Sequence, residues 1–583
     1  MTAGGSLLES CIKSLRRARM CGSGWRGLLL LVTVSAAFTS SEFVYPSPHP
    51  RETESSYWND LARKELEEAI HKPKLTNVAK NVILFLGDGM GITVNTAGRI
   101  LKGQKKGVSG EEGFLVWDRF PNVGLLKTYN VDKQVPDSAA TATAFLAGVK
   151  ANYYTLGVNG KVKRGNCEAS LKAENRVDSI LKWAQDADKS TGVVTTAQVT
   201  HATPAALYAK SADRRWQCET KIFTAGEESH KCKDIALQLV EDEPATKMKV
   251  IIGGGRQELG APLEDNAEKK CVRTDGRNLV DEWKKVKTSQ GETNAYVTTT
   301  RELQSLDTEN TEYIMGLFGD LHVPYEVDRN TSLDGTPSLK EMVQVALRRL
   351  LRDDDGFFLL VEGGRIDHGL HYGQPLRALE ELLAMEEALN AAMEMVNLEE
   401  TLIVVTADHS HVMTINGYPE RGNNILGVVM NEDDVSDHMP YTTLMFTNGH
   451  GFNYTWTGEE VMRRNLTGVD TNDKDFEPLA AVPTYAGSET HGGEDVGVYA
   501  IGPMAHLFHR VHEQNYVAHV MAYASCIGPY ADDCKRPVQI HENVYNHVKN
   551  LKKCKANTGT STNLSFVTLV SITIVHVIRQ FGC

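Results

Sequence analysis

The sequence predicts an α/β fold: a central, mostly parallel sheet flanked by helices on both faces, interrupted by one inserted loop-rich region. Three observations carry this. Apolar runs of strand length recur along the chain, helical stretches lie between them, and the runs end in glycine or in acidic and imidazole side chains. A strand buried on both faces reads as an unbroken apolar run rather than an alternation. Strands alternating with helices imply parallel pairing in one sheet.

The elements follow in order. Residues 57–70, from Tyr57-Trp58 to Ile70, have the spacing of an amphipathic helix ahead of the first strand. Asn81–Leu86 is a continuous apolar run that stops at Gly87-Asp88-Gly89-Met90-Gly91. Val177–Ala187 reads as a helix, then Gly192–Thr195 and Val250–Ile252 as strands. Phe357–Val361 and Thr401–Val405 are further strands, with a helix over Leu376–Val396 between them. From Gly417 to about Pro483 the rhythm breaks into turn-rich, polar sequence, which predicts an insertion of loops and short strands. No internal repeat or low-complexity block is present in the body.

Composition bounds the function. The 583 residues are 41% hydrophobic and 23% charged, ordinary for a chain with a large buried core. A formal net charge of −13 argues against a phosphate-backbone binder, so no nucleic-acid recognition is expected. A small anionic substrate stays open, because a bound metal inverts the local field.

The two ends read as addresses. Arg16, Arg17, Arg19 and Arg26 precede the apolar run Leu28–Val32 and the small residues Ser35-Ala36-Ala37, the order of a secretory signal cleaved between Ala37 and Ser41. At the other end, the small polar stretch Ala556–Asn563 leads into a short apolar tail, Leu564–Ile578. That pattern marks a lipid-anchor signal, with Asn557 as the attachment residue, although His576 and Arg579 weaken the tail. The expected divisions are a signal peptide (1–40), an N-terminal arm and helix (41–72), and a catalytic α/β unit (73–416 and 484–530). The insertion (417–483), a stalk (531–557) and a removed anchor signal (558–583) complete them. The location that follows is the outer face of the plasma membrane. Ten cysteines fit an oxidising compartment, and seven lie outside the removed segments, an odd number. Cys526 and Cys534 close a short loop and pair most readily by proximity. Asn330, Asn453 and Asn465 stand in glycosylation sequons.

The chemistry lies where polar residues follow the strands, since ligands in open α/β sheets bind at the strands' carboxyl ends. The first strand ends at Asp88; another ends at Glu362, followed by Asp367, His368 and His371; a third ends at Asp408-His409-Ser410-His411. Carboxylates and imidazoles delivered to one rim suit Zn²⁺ and Mg²⁺. A lone Asp-His pair is an ordinary loop feature; two such clusters at strand ends are a metal site. Asp137-Ser138-Ala139 opens an Ala/Thr-rich helix. Ser138 there reads either as a plain cap or as a nucleophile whose anionic intermediate meets the helix's positive end. Arg214 supplies the cation for a bidentate grip on phosphate.

Six blocks, in order, resemble the metazoan alkaline phosphatases: Gly87–Gly91, Val135–Ala139, His201–Pro204, Val361–Gly369, Thr406–His411 and Thr490–Asp495. The resemblance runs from about residue 55 to 530. It implies a lipid-anchored homodimer that hydrolyses phosphate monoesters at alkaline pH, with two Zn²⁺ and one Mg²⁺ per subunit. In this likeness Ser138 is the nucleophile and Arg214 the phosphate clamp. Asp367, His371 and His491 hold one zinc; Asp88, Asp408 and His409 hold the other. Asp88 bridges to the magnesium held by Thr203 and Glu362, while His201, His368 and His411 orient the ligands. The pattern also includes a calcium-type site. Phe318 and Asp334 match it, but Gly319 stands where the family has Glu, which leaves Ca²⁺ in question and Glu264 as a further ligand to consider. Ser488, three before His491, lies at a position where relatives differ. The likeness pairs Cys167 with Cys232 and Cys526 with Cys534, and leaves Cys218 and Cys271 available to each other.

Overall fold

The computed structural model describes residues 50–533, apart from 72–73, 227–230, 266, 430–434 and 485–487. In chain order, the elements that build and frame the site begin with helix α1 (Ser55–His71), strand β1 (Asn81–Gly87) and helix α2 (Ile92–Lys105). Next come β2 (Asn122–Lys127), α3 (Ser138–Ala147), β3 (Ser190–Gln198), β4 (Val250–Gly254), β5 (Asn294–Val297) and β6 (Tyr313–Leu317). Helix α4 (Leu339–Leu350), β7 (Phe357–Gly363), α5 (Arg365–His371), α6 (Pro375–Met395) and β8 (Thr401–Ala407) follow. The last are β9 (Val496–Ile501), β10 (Arg510–Glu513) and α7 (Tyr516–Ser525).

Ten strands form one sheet in the order β10-β2-β9-β8-β1-β7-β3-β4-β6-β5. Only β9 runs against its neighbours, antiparallel to both β8 and β2. Every residue of β1, β3, β7 and β8 is buried, so helices cover both faces of the middle of the sheet. Helices α4 and α6 pack on each other and on β7, and α7 packs on β1. The central register sets the site: Gly87 lies opposite Gly363 on one side and Ala407 on the other. Asp88, Glu362 and Asp408 therefore emerge side by side at one edge.

The apolar runs lengthen in the structure: β1, β4, β7 and β8 gain one or two residues, and β3 extends at both ends to Ser190–Gln198. The helix expected over Val177–Ala187 is shorter, Ile180–Gln185, because Ser179 stays extended as its cap and Asp188 turns to φ 58°. Among the described residues, the inserted region contains only short strands in small sheets, among them Tyr454–Trp456 paired with Val461–Arg463. Helix α1 leaves Trp58, Leu66 and Ile70 exposed, at 49%, 60% and 67%. Asn330, Asn453 and Asn465 are all exposed. Disulfides join Cys167 to Cys232 and Cys218 to Cys271, and Cys526 is also disulfide-bonded. The signal peptide, Cys534, Cys554 and Asn557 lie outside the described residues.

Candidate active site

The site is built where β1, β7 and β8 end. Gly89 turns the chain after β1 with φ +73°, and a Cβ there would lie 2.5 Å from the His411 ring. Glycine is therefore required twice over, for the left-handed turn and for the approach of the imidazole. Gly91 is equally confined, since a Cβ would stand 2.0 Å from the Ser410 hydroxyl.

Ser138 opens α3, and Asp137 caps it by accepting from the Ala139 amide at 3.1 Å. The Asp137 carboxylate also accepts from the Tyr154 amide at 2.8 Å and from Arg214 Nη1 at 3.3 Å. One side chain thus starts the helix and braces the guanidinium. Arg214 Nη2 donates to His201 Nε2 at 3.2 Å. Tyr154, whose carbonyl accepts from the Arg214 amide at 2.8 Å, is held at φ +68°.

Two groups of ligand atoms converge beside Ser138. His409 Nε2 lies 3.1 Å from Asp408 Oδ2, 3.5 Å from Asp88 Oδ1 and 3.1 Å from Ser138 Oγ. In the second group, His371 and His491 approach Nε2 to Nε2 at 3.1 Å, and each lies 3.4 Å from Asp367 Oδ1. Metal–ligand bonds of about 2.0–2.1 Å in a tetrahedron put ligand atoms roughly 3.3–3.4 Å apart. The separations in the two groups, 3.1–3.5 Å, bracket that spacing. The imidazoles are also turned correctly: His371 Nδ1 donates to the Glu489 carbonyl at 2.6 Å and His491 Nδ1 to the Pro136 carbonyl at 2.8 Å. Their Nε2 lone pairs face inward, as metal ligation needs.

Asp88, Glu362 and His201 form a third convergent group, so Asp88 belongs to two. Among fully buried atoms with no hydrogen-bond partner are both Asp88 carboxylate oxygens, Glu362 Oε1, Asp408 Oδ2 and the Thr203 hydroxyl. Buried polar atoms are otherwise almost always satisfied, so five orphaned ligand atoms in one pocket call for cations.

Electrostatics agree. Burial, then the charges of Asp408, Asp367 and Glu362, push the Asp88 carboxyl well above its usual range. Burial raises Glu362 to about 7, although Thr195 donates to it. Against the opposing push of burial, His409 draws Asp408 down to about 2. Burial takes His371 and His201 down to about 3, so both are neutral imidazoles. His411 goes the other way: despite burial, Glu489 and Asp367 raise it to about 10.

All eight sequence-predicted metal ligands sit at this rim of the sheet. His201 and His368 lie beside them with His322, the three rings 4.2–5.5 Å apart. The two calcium-type acids are each engaged by an arginine. Glu264 pairs with Arg256 at 2.5 Å and Asp334 with Arg301 at 2.9 Å, while Phe318 is buried. At Gly319 a Cβ would stand 2.2 Å from the His322 carbonyl oxygen, leaving no room for the family's Glu. Among the described residues, neither Glu264 nor Asp334 belongs to a group of three convergent acidic, imidazole or thiol ligands. Sequence reasoning missed Thr195, His322 and Glu489. Each acts through a partner more than 40 residues away, and no local spacing marks it.

A family model described as alkaline phosphatase matches residues 79–527. The chain belongs to the alkaline phosphatase family. It is therefore a hydrolase of phosphate monoesters. It is 48% identical over 491 residues to the tissue-nonspecific alkaline phosphatase of Homo sapiens, covering 83% of this chain and 91% of that one. It is 47% identical over 485 residues to the alkaline phosphatase of Gadus morhua (82% and 98%), and 42% over 488 residues to the membrane-bound alkaline phosphatase of Bombyx mori (83% and 87%). The alkaline phosphatase of Thermus thermophilus shares the fold with a TM-score of 0.54 at 23% identity, covering 83% of this chain and 98% of that one. That of the Antarctic bacterium TAB5 gives 0.52 at 21%, covering 78% and 99%. Among the described residues no helix is long and apolar enough to cross a membrane.

Proposed function

We propose that this alkaline phosphatase works through a phosphoseryl intermediate on Ser138, with two zinc ions and one magnesium ion in the site. Asp367, His371 and His491 would hold one zinc. Asp88, Asp408 and His409 would hold the other, and Asp88, Thr203 and Glu362 the magnesium. When bound, these ions supply concentrated positive charge and Lewis acidity to the attacking and departing oxygens of an in-line displacement.

The chain's own groups do the rest. Arg214, braced by Asp137, donates two parallel N–H groups to non-bridging phosphoryl oxygens and fixes their orientation. Ser138 Oγ, at the first turn of α3, is aimed at phosphorus, and the helix's unpaired amides favour the negative charge that collects there. As the Oγ–P bond forms, Ser138 Oγ gives up its proton to water and the ester P–O bond breaks; the leaving oxygen takes a proton from water and departs as the alcohol. A water oxygen then attacks the phosphoserine, orthophosphate leaves, and the Ser138 hydroxyl is restored. Splitting one displacement in two is what a covalent nucleophile contributes. Every residue in this set addresses the phosphoryl group, so the specificity is broad.

The observation that supports this reading best is the spacing of the two ligand groups, one of which includes Ser138 Oγ. The apolar side chains that α1 exposes, with Tyr418 at 85% exposure, suit burial against a second copy in a homodimer. The two termini give the protein a secreted, lipid-anchored location on the outer cell surface, with Asn557 as the anchor site. Exposed Asn330, Asn453 and Asn465 carry glycans there. The test is hydrolysis of a chromogenic aryl phosphate from neutral to strongly alkaline pH, with chelator and with zinc add-back. Activity should rise with pH, vanish on chelation and return with zinc; chelator-resistant turnover would overturn the metal assignment.

A further inference from the structure

Glu489 has no part in the mechanism above, yet both its carboxylate and its backbone bond to residues of the site. Its residue is 1% exposed. One carboxylate oxygen accepts from His411 Nδ1, and the other accepts from the Val412 amide at 2.8 Å. The opposite edge of the His411 ring, Nε2, lies 2.7 Å from Asp367 Oδ1. That oxygen is the vertex to which His371 and His491 Nε2 both point at 3.4 Å. The Glu489 backbone meanwhile brackets His371: its carbonyl accepts from the His371 ring at 2.6 Å, and its amide donates to the His371 carbonyl at 2.8 Å.

We infer that Glu489 is a positioning residue for the Asp367–His371–His491 group, its carboxylate fixing His411 and, through that ring, the ligand oxygen of Asp367. The inference rests on the reading that these three residues hold a zinc. A histidine gripped at one nitrogen only is able to rotate and present the other to the metal. With Nδ1 held by Glu489, whose other carboxylate oxygen is itself fixed by the Val412 amide, His411 is confined to its role as donor to Asp367. The side chain orients the carboxylate ligand, and the backbone orients an imidazole ligand. Outer partners of this kind are worth roughly 10–100-fold in metal affinity.

The experiment compares wild-type, Glu489→Gln, Glu489→Ala, His411→Ala, the double variant His411→Ala with Glu489→Gln, and Asp367→Asn proteins in zinc-buffered solution. It reads bound zinc and magnesium by elemental analysis and the visible spectrum of the cobalt-substituted forms. The backbone bonds to His371 survive side-chain replacement, so only the carboxylate is tested, and Glu489→Gln keeps its volume. The expected result is that one zinc equivalent of Glu489→Gln needs about 10–100-fold higher free zinc, with an altered cobalt spectrum and unchanged magnesium. In the His411→Ala background the Gln substitution should add nothing, because both act along one chain of contacts. Zinc titrations and cobalt spectra of both Glu489 variants that overlay the wild type would overturn the inference, as would equal losses of all three metals. If Asp367→Asn also retained full zinc, the ligand reading itself would fall, and the inference with it. Loss in Asp367→Asn alone would refute only the role of Glu489.

Discussion

Replacing Arg214 separates the phosphate grip from the rest of the site. Its side chain is 14% exposed, tied to Asp137 at 3.3 Å and His201 at 3.2 Å. The guanidinium fork offers two donors to phosphate oxygens, and each hydrogen bond to a charged group is worth about 1.5–3 kcal/mol. Losing both in Arg214→Ala costs about 3–6 kcal/mol by that measure. At 1.36 kcal/mol per factor of ten, that is roughly 10²–10⁴-fold in kcat/KM. Arg214→Lys keeps the charge but not the fork, and should lose about 10–100-fold, one contact's worth. The fold should hold, because Asp137 retains donors from the Ala139 amide, the Tyr154 amide and Asn130 Nδ2 at 3.3 Å. The assay is steady-state hydrolysis of an aryl phosphate with competitive inhibition by orthophosphate, each variant first matched to wild type in zinc content. KM and the phosphate inhibition constant should rise together. If both stayed at the wild-type value in either variant, Arg214 would not touch the phosphoryl group and the clamp argument would be wrong.

Two further outcomes are expected. The Cys218–Cys271 bridge closes a 53-residue separation, for which chain entropy gives about 4 kcal/mol; the double serine variant should melt lower while kcat is retained, and an unchanged melting temperature would refute a stabilising role. Burial pushes Glu258, 1% exposed, from 4.5 to about 8. The folded protein keeps a proton that the unfolded chain releases near pH 4.5, so this stability is full below about 4.5 and lost as pH rises through about 8. Thermal melts across that window should fall less steeply for Glu258→Gln than for wild type, and parallel curves would contradict the assignment.

Much of this was legible in the residues. β1, β7 and β8 announce themselves because central parallel strands must be apolar on both faces, and their polar last residues then fall at the ligand-binding edge. Asp88, Glu362 and Asp408 needed no more than that. The sheet's far side was illegible: β2 and β10 are short, partly exposed strands, and Val496 of the buried β9 finds Leu126 only through tertiary pairing across the whole chain. Glu489 shows the same limit within the site. Beside His491 it reads as a loop carboxylate, and its importance depends on His411, which arrives from another strand end. Gly319 was legible as a departure from the family pattern. The likeness invited a calcium site, but the His322 carbonyl fills the space that a ligand side chain would need.

The central claim is that Ser138 carries the phosphoryl group. Metal-replete enzyme would be mixed with labelled orthophosphate or substrate, quenched in acid, digested and mapped. The account predicts one labelled peptide, containing Ser138, and its disappearance in Ser138→Ala protein that keeps its full zinc and magnesium but loses most turnover. Label on another residue, or wild-type turnover in Ser138→Ala, would contradict it.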